Sequence, residues 1–256
     1  MQPTTFVEIG TAKMMSREIK FLIDPGTAAG IREWARAHLE RDPYGEGPFG
    51  DEYRSTSLYT ETPDFDVFHR RASYGRSKYR IRRYDGEPVA FVERKLRTGA
   101  LLAKRRSPVS IDEVAAIART LSTLHLPHQW TGSWFEQRLL IRRLRPACQI
   151  SYWRLARVAE AEYGPLRLTL DSDVRALAIH ALEFTKSEGL PILTNQAVLE
   201  LKVRDRLPAV FRRLIEEFRL TPQRASKYRA AVAALDLVSA VPPAFAAIDA
   251  SDATRT

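Results

Sequence analysis

The chain has 256 residues, of which 45% are hydrophobic and 28% are charged, with 40 Lys and Arg against 31 Asp and Glu. This composition can bury a core in one large domain or two small ones, and it excludes a wholly disordered chain. The net charge of +9 favours an anionic partner, such as nucleic acid, a phosphorylated metabolite or an acidic membrane, without choosing among them.

Cysteine content and hydropathy limit the class of protein further. Cys148 is the single cysteine, which excludes an intrachain disulfide and a cysteine-based zinc site. No segment approaches the ~20 apolar residues of a membrane-spanning helix, and residues 1–16 lack the features of a signal peptide. We therefore expect a cytoplasmic protein, and any membrane partner is expected to be a separate chain.

The first part of the chain is predicted to alternate between strands and helices. Glu18–Ile23 has the period-two pattern of a strand, and Ala28–Leu39 has apolar residues at helical spacing. The elements predicted next are an irregular loop at Arg41–Gly50, a strand at Ser55–Glu61 and a short helix that ends at Phe68. Asp64 and Asp66 are expected to cap this short helix.

The next three predicted strands carry charge at every second position. Because successive side chains of a strand point to opposite faces, each strand has one charged face and one largely apolar face. The charged set is Lys78, Arg80, Arg82, Glu93, Lys95, Lys104 and Arg106. Arg83, Arg94 and Arg105 have the opposite parity, and we expect them to form salt bridges with covering helices.

The second half of the chain repeats this mixture of elements. Ser110 and Glu113 form a capping box at the start of a helix. The elements predicted after it are a helix at Trp134–Leu144, strands at Ala147–Val158, Leu166–Asp171, Arg175–Phe184 and Gln196–Val203, and helices at Pro208–Phe218 and Pro222–Leu237. We expect a single domain at 17–240 between flexible ends at 1–16 and 241–256.

Two arrangements are compatible with these strands. In the first, an open antiparallel sheet leaves its charged face in water, which is common for a single strand. In the second, the charged faces line the lumen of a barrel covered by helices. Lys or Arg dominates nearly every strand, with one acid among them at Glu18, Glu93 and Glu200, and this bias favours the barrel. Such a lumen needs anions and metal ions, because like charges at close range repel one another.

Ten short motifs follow one another along the chain between Glu18 and Tyr228. They are Glu18-Ile-Lys20-Phe21, Ser57-Leu58-Tyr59, Thr62-Pro63-Asp64, Arg80-Ile-Arg82-Arg-Tyr84, Val92-Glu93-Arg-Lys95, Lys104-Arg-Arg106, Tyr152-Trp-Arg154, Arg167-Leu-Thr-Leu-Asp171, Leu199-Glu200-Leu-Lys202 and Ser226-Lys227-Tyr228. Each motif is weak alone, but their order and spacing are fairly specific. Together they resemble the VTC domain, the polyphosphate polymerase domain of the vacuolar transporter chaperone complex, within the triphosphate tunnel metalloenzyme superfamily.

The resemblance implies an α+β fold in which an antiparallel β-barrel forms a tunnel with a basic lumen. It also implies a polymerase that uses Mn²⁺ or Mg²⁺ to transfer the terminal phosphate of ATP to inorganic polyphosphate. The catalytic residues implied by the motifs are Arg80, Arg82, Lys95, Lys104, Arg154 and Lys227. The further phosphate-binding residues are Lys20, Lys78, Arg106, Arg167 and Lys202. Glu200 is the first choice as metal ligand, and Glu18 and Glu93 either join it or orient nearby lysines.

Several alternatives remain open from the sequence. The same residues would serve a hydrolase of inorganic triphosphate or nucleoside triphosphates, or a non-catalytic module that binds polyphosphate. Nucleic acid is a weaker candidate, because the cations lie on strands without exposed aromatic platforms. Lys202 and Arg167 either bind phosphate or only pair with Glu200 and Asp171. Tyr59 and Tyr84 are expected to be packing residues.

Overall fold

The structure is a computed structural model that describes residues 17–42, 50–98, 101–123, 130–162, 164–204 and 206–239. The ends predicted to be flexible, 1–16 and 241–256, lie outside these residues, as does most of the predicted loop at Arg41–Gly50. No helix within the described ranges is long and apolar enough to cross a membrane.

The fold is α+β and is built on one large antiparallel sheet, as the sequence predicted. The strands are β1 (Arg17–Ile23), β2 (Glu40–Arg41), β3 (Glu52–Glu61), β4 (Ser77–Tyr84), β5 (Val89–Thr98), β6 (Leu101–Ser110), β7 (Arg145–Ala159), β8 (Leu166–Ala178), β9 (Leu190–Pro191) and β10 (Ala197–Val203). The helices are α1 (Pro25–His38), α2 (Asp66–His69), α3 (Ile111–Thr123), α4 (Ser133–Ile141), α5 (Ala209–Glu217) and α6 (Lys227–Ala234).

The sheet is strongly curved. Its main path runs β1-β10-β8-β7-β3-β4-β5-β6, so β1 and β6 are the two edges. The Glu18 carboxylate on β1 nevertheless lies 3.5 Å from the Lys95 ammonium on β5, next to the opposite edge. The β1–β6 pairing that would close a barrel is absent from the strand pairs of the described residues, so the closed barrel itself stays a prediction.

The helices α1, α3, α4 and α5 cover the apolar face of this sheet. Near α3 and α4, Leu58, Ile81 and Val92 are fully buried in one core cluster. A second cluster, on β1, β8 and β10, contains Phe21 and Leu168 together with residues of α1 and α5. Because the apolar positions face the helices, the charged positions of the same strands line the opposite, concave face of the sheet.

The helix α6 lies against the concave face and covers part of it. Tyr228 of α6 is buried and stacks on Tyr59 of β3, with ring centroids 5.2 Å apart. Ala231 of α6 packs in the same cluster with Ile150 and Tyr152 of β7. The first residue of this helix, Lys227, is therefore held beside the charged side chains of the strands.

Two regions of the chain fold differently from the prediction. The predicted helix at Pro222–Leu237 begins only at Lys227, because the Ser226 hydroxyl accepts a hydrogen bond from the backbone N–H of Arg229 and caps the helix there. The predicted strands at Leu166–Asp171 and Arg175–Phe184 are one strand, β8, which ends at Ala178. Asp173 adopts a φ of 46° where the register of β7 and β8 shifts, so the turn-like residues make a bulge instead of a turn.

The start of α2 is capped by Glu61, not by the two aspartates. The residue at the N-cap position, Phe65, has no side-chain cap. The buried Glu61 carboxylate accepts backbone hydrogen bonds from Thr62, Val67 and Phe68 at 2.8, 3.0 and 2.9 Å. It also accepts a hydrogen bond from the Tyr228 hydroxyl, which ties α2 and β3 to α6. The predicted capping box of Ser110 and Glu113 is confirmed.

We expect Tyr228→Phe to destabilise the fold by about 1–3 kcal/mol, because the buried Glu61 carboxylate loses a donor that water cannot replace. Urea denaturation measures this free energy of unfolding. Tyr79→Phe is the matched control, since it removes the hydroxyl of another buried tyrosine that does not bond to Glu61. Equal stability of Tyr228→Phe and the wild type would contradict the assigned hydrogen bond.

Candidate functional site

All the site residues that the sequence predicted lie on the concave face. They come from eight different elements, which the sheet order places around one surface. The residues are Glu18 and Lys20 of β1, Lys78, Arg80 and Arg82 of β4, Glu93 and Lys95 of β5, Lys104 and Arg106 of β6, Arg154 of β7, Arg167 of β8, Glu200 and Lys202 of β10, and Lys227 of α6.

Glu93 is the centre of a cluster of cations on the neighbouring strands. Its carboxylate is almost fully buried and lies 2.6 Å from Arg80, 2.8 Å from Lys104 and 3.4 Å from Arg106. Burial alone would raise the pKa of Glu93, but Arg80, Arg82 and Lys104 outweigh burial and hold the pKa far below its usual range. The Glu93 carboxylate therefore contacts three cations, one of which, Lys104, is a neighbouring lysine of the kind that the sequence offered as its partner.

Asp171 holds a second group of cations and was missed as a site residue. Its carboxylate is fully buried and accepts two hydrogen bonds of 2.6 Å from the Arg154 guanidinium. The Lys227 ammonium lies 2.5 Å from the same carboxylate. Arg167, the partner that the sequence offered for Asp171, instead lies 3.0 Å from Asp42. The sequence signals for Asp171 are its place at the end of the motif Arg167-Leu-Thr-Leu-Asp171 and its position on the polar face of its strand.

Lys20 lies between two carboxylates on neighbouring strands. Its ammonium is 2.7 Å from Glu18 on its own strand and 2.6 Å from Glu200 on β10. Burial lowers the pKa of Lys20, but the two carboxylates outweigh burial and raise it. Lys227 is also near, at 3.7 Å from Glu200. This geometry brings two of the three predicted metal ligands together and leaves the third, Glu93, elsewhere.

The pair of Glu18 and Glu200 fits a divalent cation only in part. Mg²⁺ and Mn²⁺ prefer oxygen ligands, and Mg²⁺ is commonly held by one or two carboxylates plus substrate phosphates. Within the described part of the chain, no three His, Cys, Asp or Glu side chains are grouped to hold a metal ion. The two carboxylates would therefore need phosphate oxygens to complete the site, and Lys20 would have to leave them.

Two lysines of the concave face are poorly neutralised. Burial is the largest influence on Lys78 and on Lys202, and it lowers the pKa of each to about 8. Tyr59 partly opposes this shift at Lys78, and Glu200 opposes it at Lys202. The Lys78 ammonium donates a hydrogen bond to the Ser226 hydroxyl at 3.0 Å, which is a neutral partner. A bound anion would stabilise the charged form of both lysines.

The two arginines of β4 on the concave face are held in fixed orientations by hydroxyl groups of β3. Arg82 donates to the Ser57 hydroxyl at 3.0 Å, and Arg80 donates to the Tyr59 hydroxyl at 2.9 Å. Burial raises the pKa of Tyr59, but Arg80 and Arg82 outweigh burial and lower it to about 8. Tyr59 thus packs against α6, as predicted, and also positions Arg80.

The arginines of opposite parity lie on the helix-covered face, as predicted, but two of them contact rings instead of acids. Arg105 lies over Trp134 of α4 at 4.4 Å from the ring centroid, and Arg83 lies over Phe184 at 4.9 Å. The expected salt bridges are therefore replaced by cation–π contacts, because the covering segments present aromatic side chains there.

Three solved structures are similar to this chain, and the first of them shows the shared fold. A suspected adenylate cyclase from Bacillus halodurans is 18% identical, with 83% of this chain and 93% of that chain covered and a TM-score of 0.50. A suspected adenylyl cyclase from Hippeastrum, described as having a dominant triphosphatase activity, is 12% identical, with 86% and 96% covered and a TM-score of 0.49. The PH1819 protein from Pyrococcus horikoshii is 14% identical, with 85% and 99% covered and a TM-score of 0.45.

The fold and the cationic concave face define an α+β domain whose curved antiparallel sheet presents a concentration of positive charge on one side. The sequence profile of the VTC domain matches residues 15–236. The chain therefore belongs to the VTC domain family, and the resemblance of its motifs is confirmed. No curated protein matches the chain.

We expect the affinity for tripolyphosphate to fall about tenfold between pH 7 and pH 9, because Lys78 and Lys202, with pKa values of about 8, lose their protons over this range. Titration calorimetry at each pH measures the affinity. The control is the double variant Lys78→Arg with Lys202→Arg, which stays charged and should show a smaller fall. An affinity that is constant or rises with pH in the wild type would contradict the shifted pKa values.

We expect Lys20→Met to bind Mn²⁺ about tenfold more tightly than the wild type when no phosphate is present, because the ammonium no longer competes for Glu18 and Glu200. Electron paramagnetic resonance of free Mn²⁺ measures the affinity.

Lys104→Met is the matched control, since it removes the same charge from the concave face but beside Glu93. An equal gain in both variants would mean that only the overall charge matters. No gain in Lys20→Met would contradict the competition between Lys20 and the metal ion.

Proposed function

We propose that this protein is a metal-dependent polyphosphate polymerase that transfers the terminal phosphate of ATP to a growing chain of inorganic polyphosphate. The observation that carries the proposal is the single concave face on which cations of seven strands and α6 surround a few carboxylates. A linear chain of phosphates carries negative charge on every unit, so it can contact many of these cations at once. Membership of the VTC domain family supports the same reaction.

The arginines are suited to hold the phosphates in line. Phosphoryl transfer demands little covalent chemistry of the protein, but it requires fixed positions for the phosphates and neutralisation of their charge. Arg80, Arg82 and Arg154 are already oriented by Glu93, Ser57 and Asp171, respectively. Because a guanidinium can bridge two oxygens, these three side chains would fix the orientation of the bound phosphates before the reaction.

The lysines are suited to neutralise the negative charge that shifts between oxygen atoms during phosphate transfer. In the proposed reaction, an anionic oxygen at the end of the polyphosphate chain forms a bond to the γ-phosphorus of ATP. The bond from that phosphorus to the β,γ-bridging oxygen breaks, and ADP leaves with the electron pair. The attacking oxygen is already ionised, so no general base is needed. The polyphosphate chain and ATP repel each other, and positive charge on flexible side chains offsets this repulsion. These side chains are Lys95, Lys104 and Lys227.

The two acids near Lys20 are the proposed metal ligands. A Mn²⁺ or Mg²⁺ ion held by Glu200 and Glu18 would supply further neutralisation of the phosphate oxygens. Lys20, released from these carboxylates, would contact phosphate in turn. Glu93 is assigned a different role, because its contacts with Arg80, Lys104 and Arg106 orient phosphate-binding side chains.

The test is incubation of the purified protein with ATP and Mn²⁺, followed by gel staining for long polyphosphate and an assay of released phosphate. We expect long chains with the wild type and a loss of at least about 100-fold with Glu200→Gln, since the variant keeps the shape of the side chain but not its charge. Glu87→Gln, at an exposed turn, is the control and should retain full activity.

The other results separate the remaining functions. Released phosphate without long chains would mean that water is the nucleophile and that the protein is a hydrolase. Tight binding of polyphosphate with neither product would identify a non-catalytic binding module. Full polymerase activity in Glu200→Gln would overturn the proposed role of Glu200 as a metal ligand.

A further inference from the structure

Thr169 of β8 carries a buried hydroxyl that faces the concave side of the sheet. Its neighbours in sequence, Leu168 and Leu170, pack in the core cluster on the helix-covered side, so the Thr169 side chain points the opposite way. Thr169 is 1% exposed, and its Oγ1 has no hydrogen-bond partner among the described residues. Because a buried hydroxyl without a partner is unfavourable, its presence here indicates a bound group that the hydroxyl contacts.

The sheet register places Thr169 beside the proposed metal ligands. Thr169 pairs with Glu200 of β10, and Glu200 pairs in turn with Lys20 of β1. Residues directly opposite each other on antiparallel strands have their Cβ atoms about 4.5–5.5 Å apart on the same face of the sheet. A cation bound by the Glu200 carboxylate would therefore lie within reach of the Thr169 hydroxyl.

The remaining neighbours of Thr169 are apolar or bonded elsewhere. On β7 its register partner is Ala156, whose side chain is a methyl group. Along β8, the Asp171 carboxylate already contacts two cations, and the Arg167 guanidinium lies 3.0 Å from Asp42. The side toward Glu200 is therefore the one on which a bound group would give the hydroxyl a partner.

A hydroxyl is a suitable third ligand for a divalent cation at this place. Mg²⁺ and Mn²⁺ prefer oxygen ligands, and a Ser or Thr hydroxyl binds Mg²⁺ in the phosphate-binding loop of many nucleotide-binding proteins. Glu18 and Glu200 together supply two negative charges, which balance the charge of the ion. A third carboxylate would repel a polyanion on the concave face, whereas a hydroxyl adds a ligand without adding negative charge.

We propose that the Thr169 hydroxyl is a third protein ligand, with Glu18 and Glu200, of the metal ion on the concave face. This inference rests on the proposed function and deepens it, since it adds a residue to the proposed metal site. It also explains why a threonine occupies this buried position, where a valine of nearly the same shape would leave no polar group without a partner.

The test combines the affinity for Mn²⁺, measured by electron paramagnetic resonance without phosphate, with the stability in EDTA, measured by urea denaturation. We expect Thr169→Val to bind Mn²⁺ about tenfold more weakly than the wild type, because a methyl group replaces the ligand. In EDTA, we expect its unfolding midpoint to equal or exceed that of the wild type, because the hydroxyl that is removed has no partner there. A residue with only a structural role would lower this midpoint.

Two further variants are the controls. Thr169→Ser keeps the hydroxyl and should keep the Mn²⁺ affinity within about twofold of the wild type. Ser55→Ala removes another buried hydroxyl of the concave face that has no hydrogen-bond partner among the described residues. The register partners of Ser55 are Tyr84 and Tyr152 instead of an acid, so this variant should leave the Mn²⁺ affinity unchanged.

The other outcomes separate this inference from the proposed function. Unchanged Mn²⁺ affinity in Thr169→Val, or an equal loss in Ser55→Ala, would overturn the role of Thr169 and leave the polymerase proposal standing. Weaker binding of tripolyphosphate by Thr169→Val in EDTA, with unchanged Mn²⁺ affinity, would overturn it in favour of a hydroxyl that binds phosphate. A lack of Mn²⁺ binding by both the wild type and Lys20→Met would overturn the metal site of Glu18 and Glu200 together with this inference.

Discussion

Mutual neutralisation of charge on the concave face is the constraint on which the rest of the structure depends. Strands of this sheet carry cations inward, where burial removes much of the screening that water provides. The fold tolerates them because two buried acids of this face each contact several cations: Glu93 contacts three, and Asp171 is shared by Arg154 and Lys227. Removing one acid would leave several buried cations without a partner. Loss of one partner of a buried ion pair is strongly destabilising, because the other charge stays buried and uncompensated.

This neutralisation of charge is incomplete, and it is more complete for the arginines than for the lysines. Arg80, Arg82 and Arg154 have geometrically matched partners, which fix the orientation of their guanidinium groups. Some lysines lack such partners, and burial lowers the pKa of Lys78 and Lys202 to about 8. A protein that keeps such residues gives up stability for binding, as expected where a site is prepared for a highly charged ligand. Polyanion binding would thus also stabilise the fold.

The helix α6 connects this charge balance to the rest of the domain. Its Lys227 contacts Asp171, its Tyr228 donates a hydrogen bond to Glu61, and Ser226, which caps it, accepts a hydrogen bond from Lys78. Glu61 in turn caps α2. The sequence predicted a longer helix here, because amphipathic spacing persists through 222–226, and it assigned the α2 cap to aspartates. In both places the cap is a residue other than the one expected, Ser226 at α6 and Glu61 at α2. Each of these side chains also bonds to a distant residue, Lys78 or Tyr228, and local propensity cannot show such a contact.

The sequence by itself determined which residues face inward, since the alternation of charged and apolar side chains has a period of two and a strand preserves it. It therefore identified Arg80, Arg82 and Glu93 as members of one face. Only the tertiary structure decided which members of different strands meet. The pairing of β1 with β10, 180 residues apart at Lys20 and Glu200, and the curvature that brings Glu18 to Lys95, depend on long-range packing of the whole sheet. Strand order and curvature leave no local pattern, so the partners of each charge became visible only in the folded chain.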